Sequence, residues 1–202
     1  MLLSFTAMTA WLLRQVPQYV GARLEIFTLW IIGSIAWEAV FIFVTGEMIL
    51  SVSTYVAFGL AAPALGALGA IDVAVHRLPR QISYVAFLLV GMALLFGSSS
   101  ITKTSVDLVA GIFLMVVVVA SFRLVSRGSL GTGDLHLAPL LGLLIGWFDP
   151  YQVLMACVVM AMSAALVAGM LIVFRQRKGS DFIAYGPFML FGTAIAILGA
   201  RG

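Results

Sequence analysis

The chain has 202 residues, of which 63% are hydrophobic and only 9% charged, with a mean hydropathy of +1.17. So little polar surface cannot cover a soluble globule, and the apolar runs are too long for core helices, so the composition points to an integral membrane protein. Basic residues exceed acidic ones by 11 to 8, a margin that sets membrane orientation and gives no support for a nucleic-acid partner.

The opening MLLSFTAMTAWLLR lacks a basic stretch before its apolar part and a small-residue cleavage pattern, so it does not read as a signal peptide. Its apolar stretch before Arg14 is shorter than the roughly 17–25 residues a span needs. Residues 1–25 are therefore expected to form an interfacial N-terminal segment.

Seven stretches with enough apolar length to cross or nearly cross follow: 26–44, 50–71, 82–98, 106–124, 134–148, 152–174 and 182–200. They carry no regularly spaced turn signals of the kind an outer-membrane β-barrel shows. The expected fold is all-α, a polytopic membrane helical bundle forming a single domain over 1–202, with about seven transmembrane segments. The fifth stretch is short and is expected to start from a recessed loop or to cross a thinned region.

Charge placement orients the bundle. Arg14, Arg23, Arg77, Arg80, Arg123, Arg127, Arg175, Arg177 and Lys178 fall on one side of the alternating spans, against Lys103 and Arg201 on the other. The positive-inside rule makes the arginine-rich face cytoplasmic, with the N-terminus in and the C-terminus out. Cys157 is the single cysteine and lies in an apolar run, so neither a disulfide framework nor a cysteine-based zinc site is expected.

That orientation brings two acids to one face. Asp72 closes the second stretch and Asp134 opens the fifth, and ionisable groups at membrane depth mark functional sites by default. Two close carboxylates share a proton, which lets one activate water while the other polarises a carbonyl. Helix polarity assigns Asp134, at a helix start, as the more readily ionised member and Asp72, at a helix end, as the proton holder. Gly131 and Gly133, lacking Cβ atoms, would let an extended chain approach; Pro79 and Pro187 shape turns or helix starts, Pro187 after Gly186. The plain alternative is that Asp134 is a helix cap and Asp72 a solvated terminus.

IDVAVHRLPR at 71–80, GTGDLHLAPLLGLLIGW at 131–147 and YGPFMLFGT at 185–193 together resemble the type IV prepilin peptidase family, membrane aspartic proteases of the GxGD type. The region of resemblance spans 71–193. It implies that Asp72 and Asp134 form the catalytic pair, that no metal or other cofactor is needed, and that the substrate is a pilin-like precursor whose basic leader is cut at the cytoplasmic face of the plasma membrane. The oligomeric state is left open by it.

The sequence also departs from the family. The paired CxxC motifs of its methylating members are missing, so a compact form without methyltransferase activity is expected. Leu135-His136 and Arg80 stand where the family commonly has x-Lys and Asn.

Two rival readings remain at this stage. Asp72, His76, Asp134 and His136 could be written as a transition-metal site of a membrane transporter. A non-catalytic scaffold of a pilus or secretion machine is the other. Glu38, central in the first stretch, is expected to be buried and either to hydrogen-bond within the bundle or to belong to a proton path, the structural role being favoured.

Overall fold

The structure, a computed structural model, describes residues 2–20, 24–46, 50–76, 78–97, 101–125, 131–174 and 184–200. Arg23, Arg77, Arg127, Arg175, Arg177, Lys178 and Arg201 lie outside the described residues. Among those described, all regular structure is helical: α1 (Leu2–Val20), α2 (Leu24–Thr45), α3 (Val52–Val75), α4 (Arg80–Gly97), α5 (Ile101–Val125), α6 (Thr132–Phe148), α7 (Gln152–Val173) and α8 (Gly186–Gly199). Helices are what an apolar chain without water can form while satisfying every backbone group within one segment.

Five of these helices, α2, α3, α4, α5 and α7, are long and apolar enough to cross a membrane. The chain is thus a membrane-embedded helical bundle. The fifth and seventh apolar stretches become the shorter helices α6 and α8, of 17 and 14 residues. At 1.5 Å per residue they reach about 26 and 21 Å, short of a hydrocarbon core of about 30 Å. The N-terminal segment forms one helix whose Met8, Leu12 and Val16, one turn apart, are buried as it packs along α3.

α3 is the centre of the bundle, touched by α1, α2, α4 and α8. Its run GLAAPALGALGA is small enough to let neighbours in on every side, and all but Leu60 and Gly69 of it are buried. A Cβ on Gly66 would lie 2.5 Å from the Ser34 backbone nitrogen, so α2 and α3 meet almost backbone to backbone. The same approach lets the Trp30 indole Nε1–H donate to the Pro63 carbonyl at 2.9 Å. Small residues substitute in lipid for the hydrophobic driving force that helices lack there.

α5 and α6 use the same device. Cβ atoms on Gly111, Gly142 or Gly146 would run into the facing backbone, Gly146 meeting the Asp107 carbonyl at 2.6 Å. At the end of the bundle where α3 begins, Phe58 of α3 stacks between Phe41 of α2 at 4.6 Å and Phe148 of α6 at 5.7 Å. The outward faces of α2, α5 and α7 carry exposed Ile31, Ile32, Phe113 and Leu154, as a lipid-facing surface does.

Candidate active site

α3 ends where its chain leaves helical geometry. His76 adopts the left-handed conformation, φ 53° and ψ 36°, and its N–H donates to the Asp72 carbonyl at 2.8 Å. A left-handed residue closes a helix, and histidine tolerates that region better than most side chains. Asp72 therefore occupies the last helical turn, and its side chain is turned into the bundle at 4% exposure. Leu78 and Pro79, both buried, then lead into Arg80 at the start of α4.

α6 starts on the facing side. Gly131 is its N-cap in extended conformation, and Asp134 stands in the first turn with its carboxylate folded back on the Gly131 backbone. That is the back-reaching half of a capping box. Asp134 is 5% exposed, and the two carboxylates lie within each other's electrostatic reach. Arg123, in the last turn of α5, also reaches Asp134 electrostatically.

The third segment binds the first two together. α8 begins at Gly186, whose N–H donates to Asp72 Oδ2 at 2.9 Å. A Cβ there would lie 2.6 Å from that oxygen, so only glycine leaves room for the carboxylate. Pro187 follows in the first turn, where its missing N–H leaves no helix bond unmade. Tyr185, half-buried before it, has its phenol within electrostatic reach of Asp134 and of Cys157. α3 and α6 are joined chiefly through α4 and α8 rather than directly, so the start of α8 is the element that straddles the acids.

The glycines of the second segment divide in role. Gly133 packs on the turn of the first segment, where an added Cβ would lie 2.7 Å from the Leu78 Cβ and 3.1 Å from its nitrogen. Its bareness thus serves a contact between the two acid-bearing segments. Gly131 is exposed, and a Cβ on it would meet the Asp134 carboxylate at 3.3 Å. Pro187 helps line an open-sided apolar cleft of about 200 Å³ between α2, α3 and α8, together with Gly33, Trp37, Gly69 and Val73.

The two histidines differ in their surroundings, His76 lying within electrostatic reach of Asp72. His76 is exposed beyond the helix end. His136 Nδ1 is paired with the Tyr84 hydroxyl of α4 at 2.7 Å, the two rings edge to face. Among the described residues no group of three or more His, Cys, Asp and Glu side chains is placed to hold a metal ion. Glu38 is half-buried in α2, one of its oxygens, Oε2, having no hydrogen-bond partner among the described residues.

The sequence reading did not single out Tyr185 or Leu78. Each sits beside a residue that it did single out, and a tyrosine at the polar edge of an apolar helix start is the signal that was there to find. Compared with protein-family models, with curated proteins and with solved structures, the chain matches none.

Proposed function

We propose that this chain is a membrane aspartic endopeptidase that cuts the leader from pilin-like precursors, with Asp72 and Asp134 as its catalytic pair. The observation that carries this reading is the convergence of two nearly buried carboxylates from separate helices, one held by the Gly186 amide. A carboxylate that only caps a helix or meets solvent has no need of a second acid within its electrostatic reach.

In the proposed reaction the pair shares one proton. Asp134, at the positive end of the α6 dipole, takes a proton from water as its oxygen attacks the scissile carbonyl carbon. Asp72 gives its proton toward the substrate, and collapse of the tetrahedral centre breaks the C–N bond, releasing a carboxylate and a free amine. The resemblance of the segments at 71–80, 131–147 and 185–193 supplies the substrate class.

The orientation belongs to the same proposal: about seven crossings including the short α6 and α8, an interfacial α1, the N-terminus inside and the C-terminus outside. Arg80 directly after the Asp72 turn and Arg123 beside Asp134 agree with an active site at the cytoplasmic face. The test is co-expression with a tagged pilin-like precursor, followed on a blot. Loss of the shorter product with Asp72→Asn and with Asp134→Asn, at equal protein level, supports the pair; processing that persists in either variant refutes it.

A further inference from the structure

The start of α8 offers the acids two consecutive groups of different kinds. Gly186 presents a backbone N–H, already given to Asp72. Tyr185, the residue before it, has its phenol within electrostatic reach of Asp134 and of Cys157. The tyrosine is held from three directions. Its carbonyl caps α8 by accepting from the Phe188 and Met189 amides at 3.1 and 3.2 Å. Its ring leans on Phe188 with centroids 6.3 Å apart, and its body packs against the buried core. A residue fixed at both backbone and ring places its hydroxyl with little freedom, and preorganised donors are what stabilise developing charge.

A phenol titrates near 10, so at neutral pH it is an uncharged donor that cannot serve as the base. Helix packing alone does not call for that hydroxyl, since phenylalanine would fill the same ring space.

We propose, resting on the peptidase reading, that Tyr185 is a further catalytic residue whose O–H donates a hydrogen bond to the carbonyl oxygen of the scissile peptide as water adds. In that step the water oxygen bonds to the carbonyl carbon, its proton passes to Asp134, and the carbonyl π electrons move onto the oxygen that faces Tyr185. The phenol keeps its proton throughout. When the centre collapses, the C–N bond breaks, the amine leaves with the proton held by Asp72, and the hydrogen bond to Tyr185 weakens again.

The experiment compares Tyr185→Phe with wild type on one purified precursor, a basic leader joined to an apolar helix, in detergent micelles. Asp72→Asn and Asp134→Asn are run beside it. Loss of one oxyanion donor lowers kcat by about 10²-fold, and KM stays close to wild type because the donor acts on the reacting oxygen. Thermal unfolding is recorded for each protein. If Tyr185→Phe is destabilised, 4-fluorophenylalanine at position 185 replaces it, filling the para position without a donor. Wild-type kcat in the variant that folds, or a change confined to KM, overturns the role of Tyr185 while inactive aspartate variants leave the peptidase reading standing. Full activity in either aspartate variant overturns both.

Discussion

Replacing Gly186 by alanine probes how the Asp72 carboxylate is held. The new Cβ would sit 2.6 Å from Asp72 Oδ2 and 3.1 Å from its Cγ, where ordinary contact begins near 3.4 Å. The carboxylate must retreat by about 0.8 Å, a misplacement of the kind that weakens catalysis by up to about 10²-fold. Retreat also breaks the 2.9 Å hydrogen bond from the Gly186 N–H. A hydrogen bond between neutral groups contributes about 0.5–1.5 kcal/mol, and at about 1.4 kcal/mol per factor of ten this gives a further rate loss of about two- to tenfold. Helix propensity works the other way, alanine gaining up to about 1 kcal/mol over glycine, so thermal stability should change little. The assay is precursor cleavage by purified protein, with Gly169→Ala on α7, where an added Cβ meets nothing within 4 Å, as the control. Wild-type cleavage by Gly186→Ala would show that Asp72 does not need this seat, and the constellation would lose its catalytic meaning.

Gly142→Ala drives a Cβ to 2.5 Å from the Gly111 carbonyl and is expected to destabilise the α5–α6 pair by about 1–3 kcal/mol; an unchanged unfolding midpoint in detergent would contradict that packing. Thr193 is fully buried, its hydroxyl without a partner among the described residues. Thr193→Val is therefore expected to stabilise by about 1 kcal/mol, read from the same melting curve, whereas a marked loss would reveal a hydrogen bond at that hydroxyl. His76→Gly relieves a left-handed conformation and should stabilise by about 1 kcal/mol. Combined with His136→Gln, it should leave cleavage within about twofold, and a chelator should leave it unchanged. Strong loss in either case would favour a metal site.

Much of this bundle is written in the hydropathy, because in lipid a helix is the local answer to an apolar run whatever its neighbours do. The seven apolar stretches each contain a helix, and both acids fall in the end turns where the reading put them. What the pattern could not set was length at the polar edges: α5 starts at Ile101, taking Lys103 into the helix, while α8 starts only at Gly186. Those boundaries depend on packing and caps, as at Tyr185, rather than on hydropathy.

The site was legible as three segments, not as an arrangement. Asp72 and Asp134 were expected at one membrane face, and it is α4 and α8, more than direct packing of α3 on α6, that join their helices. The bareness of Gly133 serves Leu78, and that of Gly186 serves Asp72. Such pairings join residues far apart in the chain, and no periodicity records them. His136 illustrates the same limit, since its partner Tyr84 lies on α4 and not beside it in sequence.

The central claim is that this chain itself cuts peptide bonds with two aspartates. The most direct measurement incubates the purified, chelator-treated protein in detergent with a purified pilin-like precursor and identifies both products by mass spectrometry. The proposed mechanism predicts one cut ahead of the apolar helix, a free amine on the new N-terminus, and no product from Asp72→Asn or Asp134→Asn. An intact precursor with the wild-type protein, or the same products from either aspartate variant, would contradict it.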